Sequence, residues 1–229
     1  MRRRVDTSEM MDAMDRFHQQ AASILTSGRF ADALDLSKED PQVVVQYTIP
    51  AAKMAQGRFA TSDEPVATHK FLLARRLVEI GVRCVSISIS DFDTHQGNFS
   101  RCRQIVPIVD FGLRALIDDL DQRGMLDDVS AVAWGEFGRT PKINSKAGRD
   151  HWPRVGMAIM AGGGIRAGQV IGSTDRLAGT VMSRPVHYQD VFATLYDNLG
   201  INARDTPITD PTGRPHYLLV RGEPLRELV

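Results

Sequence analysis

The residues able to do chemistry in this sequence sit in three short runs. Asp91-Phe92-Asp93-Thr94-His95 leaves an apolar segment that reads as a strand, and Gly135-Glu136-Phe137-Gly138-Arg139-Thr140-Pro141 leaves another. Gly148-Arg149-Asp150-His151-Trp152-Pro153 precedes a third. Neighbouring strands place their following loops about 5 Å apart, so Asp91, Asp93, His95, Glu136 and His151 can converge. Carboxylate plus imidazole is a borderline-hard donor set that suits Zn²⁺ or Mn²⁺ better than Ca²⁺ or Mg²⁺. Such an ion would polarise a phosphoryl-type oxygen or lower the pKa of a bound water toward about 7. Arg139 and Arg149 offer planar guanidinium forks for the oxygens of a tetrahedral anion.

Each of these residues also has a plainer reading. Asp is favoured at turns and helix N-caps without any ligand, which would account for Asp91 and Asp93. Glu136 fits a solvated loop, Thr94 a cap, and His151 a packed ring beside Trp152-Pro153. Spacing alone leaves both readings open. His18, His69, His187 and His216 have no ligand-like spacing. Gly162-Gly163-Gly164 lacks the Lys-Ser/Thr of a nucleotide loop, and no Gly-x-Ser-x-Gly elbow supports an esterase.

The elements that must position these residues follow from periodicity. Asp6 and Glu9 have capping-box spacing, and Met10, Met14, Phe17, Ala21 and Leu25 fall near one face, so a helix is predicted over 6–27, ended by Gly28. A short helix is predicted over 30–37, broken by Asp40-Pro41, with a connection of little regular structure over 41–64. Asp63 and Pro65 start a helix that ends at Gly81. Val82–Ser90 reads as a strand with Cys84 among its core residues, and a helix then runs to about Arg123, with Pro107 as a kink or start and Gly124 as its end. Strands are expected at Val129–Trp134 and Met157–Ala161, and a helix over Tyr188–Leu199 closed by Gly200. Strand–helix–strand order with apolar strands predicts an α/β fold, a mostly parallel sheet covered by helices.

Bulk composition excludes several classes of function. Lys plus Arg and Asp plus Glu both number 28 in 229 residues, which gives no electrostatic drive toward nucleic acid or an anionic membrane. No run approaches the roughly 18 apolar residues of a membrane span. Met1-Arg2-Arg3-Arg4-Val5-Asp6 begins like a signal peptide, but no apolar stretch follows, so no signal is expected. Cys84 and Cys102 lack CxxC spacing, which argues against a structural zinc or redox pair.

Taken together, the motifs resemble one family. Leu73-Ala74-Arg75-Arg76-Leu77-Val78-Glu79-Ile80-Gly81-Val82-Arg83, Asp93-Thr94-His95, the runs 135–141 and 148–153, and Gly162 to Gly172 occur in order as in the family catalogued as domain of unknown function 1501. That family is itself similar to the alkaline phosphatase and sulfatase superfamily. The resemblance covers about 65–228 and implies an alkaline phosphatase-like, three-layer α/β domain over 65–229, preceded by a helical extension and irregular connection over 1–64. It implies Asp93, His95, Glu136 and His151 as metal ligands, with Asp91 a further one through its Asp-x-x-x-His spacing to His95. Arg139 becomes the catalytic anion clamp. Gln189-Asp190-Val191 through Leu199-Gly200-Ile201 matches the superfamily's last helix.

The chain also departs from the pattern. Nothing in 1–64 reads as the strand and Ser or Thr nucleophile that relatives carry, Phe92 stands where the family has Trp, and Glu136-Phe137 where phosphatases have Asp-His. Full-length relatives look exported. The resemblance therefore implies the C-terminal portion of such a protein, with an exposed sheet edge that invites self-association. The leading expectation is a metal-dependent hydrolase of phosphate or sulfate esters acting on a small anionic substrate. The alternative is a non-catalytic metal-binding or structural module that retains the fold. A haloacid-dehalogenase-type phosphatase with Asp91-Phe92-Asp93 as nucleophile loop fits less well, because Thr94-His95 replaces the small residues expected there, and Asp118-Asp119 falls within a predicted helix.

Overall fold

The computed structural model describes residues 15–16, 18–19, 21–53 and 64–229. The described chain forms two compact units. One comprises the described residues up to Asp91 together with Arg103–Leu116; the other comprises Phe92–Cys102 and Ile117–Val229. The division falls after Asp91.

In the first unit, residues 21–26 are helical, as predicted; Asp6, Glu9, Met10, Met14 and Phe17 lie outside the described residues. Gly28 opens a helix instead of ending one: α1 spans Gly28–Leu34. Asp40-Pro41 is likewise a start and not a break. The Asp40 carboxylate accepts the Gln42 N–H at 2.8 Å and Pro41 fills the first turn of α2, Pro41–Gln46. Of the remaining predicted connection, 54–63 lies outside the described residues, including the Asp63 cap. A 3₁₀ turn at Pro65–Thr68 leads into α3, His69–Glu79.

Two side chains from α3 tie this unit together. Arg76 Nε donates to Ala33 O at 2.8 Å and its Nη2 to Asp32 O at 2.5 Å, satisfying carbonyls at the end of α1. Arg75, fully buried, donates to Glu39 at 2.6 Å. The apolar core gathers Tyr47, Phe71, Leu72 and Ala115, with Ile87 and Ile89 packed against it.

Val82–Ser90 has the predicted extended character without the predicted sheet. Val85, Ile87 and Ile89 are half-buried while Cys84, Ser86 and Ser88 are exposed, but the segment joins no ladder among the described residues. The two-residue alternation turns Cys84 outward, so it is not a core residue. Both cysteines are free thiols. Helix α4, Asn98–Gln122, runs unbroken through Pro107 and ends before Gly124, whose φ of 65° suits glycine. Among the described residues no helix is long and apolar enough to cross a membrane.

The second unit is built on a long hairpin. Strand β1, Ala131–Trp134, pairs antiparallel with β4, Ala158–Ala161; nested inside them, β2, Gly138–Arg139, pairs with β3, His151–Trp152. The expected parallel sheet is not found: every ladder among the described residues is two-stranded and antiparallel. The reason is topological. Parallel pairing needs a crossover, usually a helix, and the chain from β1 to β4 contains only the inner hairpin. Beyond β4, Gly162, Gly163 and Gly164 all have positive φ. A Cβ on Gly162 would lie 2.2 Å from Val129 O, so glycine lets this turn pack tightly against Val129.

Two further hairpins and a helix complete the unit. They are β5, Ser173–Thr174, with β6, Val181–Ser183, and β7, Pro207–Thr209, with β8, Pro215–Tyr217. Between them lies α5, Tyr188–Asn198, opened by a capping box of His187 and Asp190.

Candidate metal centre

The inner hairpin carries the site. Register places Arg139 opposite His151, with the loop 140–150 beyond them. The chain before α4 is stitched onto that loop by backbone bonds. Gly97 N donates to Lys146 O at 3.1 Å, Asn98 N to Ala147 O at 2.8 Å, and Arg149 N to Thr94 O at 2.8 Å. Thr94, buried between the two candidate ligands Asp93 and His95, donates its hydroxyl to Asn98 Oδ1 at 2.6 Å. Gly148 lets the two segments touch: a Cβ there would lie 2.0 Å from the His95 carbonyl carbon and oxygen.

This stitching brings Asp93, His95 and His151 to one point. Asp93 Oδ1 lies 3.0 Å from His95 Nε2 and 3.1 Å from His151 Nε2, and the two imidazole nitrogens are 3.2 Å apart. A tetrahedral ion about 2.0–2.1 Å from each donor would hold the donors about 3.3 Å apart, so this triangle is close to what zinc requires. The three side chains are 63%, 46% and 50% exposed, in the same order, which leaves the centre open to a ligand from solvent.

His95 Nδ1 lies 2.8 Å from Asp150 Oδ1, and a carboxylate only accepts, so Nδ1 carries the proton. In a neutral ring Nε2 then presents a lone pair toward the Asp93 oxygen. Two lone pairs 3.0 Å apart repel, so this contact calls for either a bound cation or a proton on Nε2. Asp150 thereby orients the imidazole as an outer carboxylate orients a metal-bound histidine.

Electrostatics keep both carboxylates charged. Hydrogen bonding from Arg139, then from His151, holds Asp93 below the usual carboxylate range. Asp150 is lowered first by His95 and also by Asn144. Arg139 Nη1 donates to Asp93 Oδ1 at 2.6 Å and its guanidinium lies 5.9 Å from the Phe137 ring centre. Phe137 in turn packs on His151, ring centres 4.5 Å apart.

Of the residues singled out in the sequence, Glu136 and Asp91 stay outside the cluster of Asp93, His95 and His151. Phe137, in the bend before β2, and Arg139, in β2, both reach the site. Glu136 lies in the bend after β1 and is exposed. Asp91 is the last residue of the first unit's N-terminal segment, in a left-handed conformation with φ of 69°. Arg149 staples the loop: its Nη1 donates to Thr140 O and Pro141 O.

Asp150 and Asn144 are the functional residues that spacing missed. Asp150 precedes a predicted ligand, and in extended chain adjacent side chains point apart, which argues against both serving one ion. They do not compete. His151 faces Asp93 while Asp150 takes the far nitrogen of His95.

No curated protein and no solved structure matches the chain. A protein-family model described as "Protein of unknown function (DUF1501)" matches residues 1–229, including the N-terminal region that the motifs alone did not reach, and the chain belongs to that family.

Proposed function

We propose that this chain is a metal-dependent hydrolase domain of phosphate or sulfate esters, with Asp93, His95 and His151 holding a divalent ion, Zn²⁺ or Mn²⁺. The observation that carries the reading is the approach of three potential ligand atoms, Asp93 Oδ1, His95 Nε2 and His151 Nε2, within 3.2 Å of one another on half-exposed side chains. When bound, the ion supplies Lewis-acid polarisation of an ester oxygen and a more acidic water. The chain's own residues do the rest. Asp150 fixes the His95 ring, Arg139 orients and neutralises Asp93, and the remaining N–H donors of Arg139 bind the anionic oxygens of the ester. Kinship with the alkaline phosphatase and sulfatase superfamily belongs to the same proposal and draws on the ordered motifs.

One observation favours a second reading, a metal-binding module without turnover. Both hydroxyls beside the ligands are committed: Thr94 to Asn98, and Thr140 Oγ1 to Lys142 O while accepting Asp150 N. Assays with p-nitrophenyl phosphate and p-nitrophenyl sulfate at micromolar Zn²⁺ or Mn²⁺ separate the two. Turnover lost in His151→Ala supports the hydrolase; metal uptake without turnover supports the module.

A further inference from the structure

We infer that Asn144 is a positioning residue for the metal centre, setting which nitrogen of His95 faces the ligand cluster. The inference rests on the metal reading above and extends it to a residue that touches neither the ion's ligand atoms nor a substrate.

Asn144 works from both ends of its amide. Its Oδ1 accepts Lys146 N at 3.0 Å and Gly148 N at 2.9 Å, closing the turn that delivers Gly148 against His95. Two backbone N–H donors on one side fix the amide orientation, because an NH₂ group could not accept them. Nδ2 must therefore face the other way. It donates to the His95 carbonyl at 3.1 Å and to Asp150 Oδ1 at 3.2 Å. The oxygen of Asp150 that receives Asn144 is the one that receives His95 Nδ1.

The consequence is a rigid frame of three groups. Asn144 holds the His95 backbone and the Asp150 carboxylate at once, so the distance between ring and carboxylate is set by a third residue. Without it, Asp150 is an exposed side chain free to rotate into water, and His95 has no fixed partner at Nδ1. The ring then exchanges tautomers, and part of the population presents an N–H toward Asp93 and His151. An N–H cannot ligate. Outer partners of this kind are worth about 10–100-fold in metal affinity.

Two variants separate this role from loop folding. Asn144→Asp keeps an acceptor for Lys146 N and Gly148 N but places a second acceptor against Asp150 and the His95 carbonyl. Asn144→Ser keeps a turn-forming oxygen with no donor long enough to reach Asp150. The tautomer of His95 is read by long-range ¹H–¹⁵N spectra of the metal-free full chain at about pH 8.5, well above the ordinary histidine pKa. Zn²⁺ affinity is read by competition with a chromophoric chelator. The expected result is a His95 protonated at Nδ1 in the wild type, mixed tautomers in both variants, an unchanged melting transition in at least one, and a 10–100-fold loss of Zn²⁺ affinity. An unchanged His95 tautomer in both variants overturns the inference. Wild-type protein that takes up no Zn²⁺ sinks the metal reading instead, and the metal-free spectra still decide what Asn144 does.

Discussion

His95 Nδ1 and Asp150 Oδ1 lie 2.8 Å apart, and this contact determines what the opposite face of the ring can do. Removing the carboxylate leaves the ligand atoms in place and frees the ring. Asp150→Ala is expected to weaken Zn²⁺ binding by about 10–100-fold. Stability should change little, since exposed pairs contribute about 0–1 kcal/mol. Chelator competition beside thermal melting checks both halves; equal affinity in variant and wild type would contradict it.

Gly148 supplies a second test, steric instead of electrostatic. Gly148→Ala places a Cβ 2.0 Å from the His95 backbone, and backbone cannot yield as a side-chain tip can. The loop 140–150 must move away from the ligand segment. Zn²⁺ uptake should be lost, whereas Gly164→Ala, with open space around its Cβ, should retain it despite strain at φ of 75°. Equal uptake by the two variants would show that close approach at Gly148 is not required.

The buried pair of the first unit predicts a large stability effect. Burial alone would raise the Glu39 pKa, but hydrogen bonds from Arg76 and Arg75 outweigh it and hold the carboxyl below its usual range. Glu39→Ala leaves Arg75, 1% exposed, with its second carboxylate, Glu79 at 2.7 Å, but removes the acceptor shared by Arg75 and Arg76, so the cost falls below that of an uncompensated buried charge. A loss of about 1–3 kcal/mol is expected, the range for leaving buried donors short of an acceptor. Urea unfolding measures it; a loss below about 1 kcal/mol would place the pair among exposed, weak bridges.

Asp210 gives the pH dependence. The Thr212 hydroxyl, the Arg214 N–H and His216 hold its carboxyl down at about 2 in the turn between β7 and β8. A lowered folded-state pKa contributes stability that is complete above the unfolded value, 3.8, and is lost as pH falls toward about 2. The carboxyl ¹³C shift of Asp210 should titrate near 2, and Asp210→Asn should remove that part of the acid dependence. A midpoint near 3.8 would contradict the hydrogen-bonded turn.

The ligand set was partly legible in the sequence because Asp93, His95 and His151 are chemically unusual types in loops between apolar runs. Their outer partners were not. Asn144 looks like any turn former, and Asp150 is hidden by the alternation that places it opposite His151. Glu136 shows the converse: the right type in the right loop, but left exposed in the bend between β1 and β2. Strand content at 131–134 and 158–161 follows from apolar runs, but direction does not, since parallel and antiparallel pairing bury the same side chains. Asp40-Pro41 reads equally as a stop and as an N-cap with proline in the first turn, and only the Gln42 hydrogen bond decides.

The most direct measurement is Zn²⁺ titration of the metal-stripped chain by calorimetry, beside Asp93→Ala, His95→Ala, His151→Ala and Glu136→Ala. Saturable micromolar uptake by the wild type and by Glu136→Ala, lost in the other three, is the predicted result. Uptake that survives loss of either histidine, or that vanishes with Glu136, would contradict the three-residue centre.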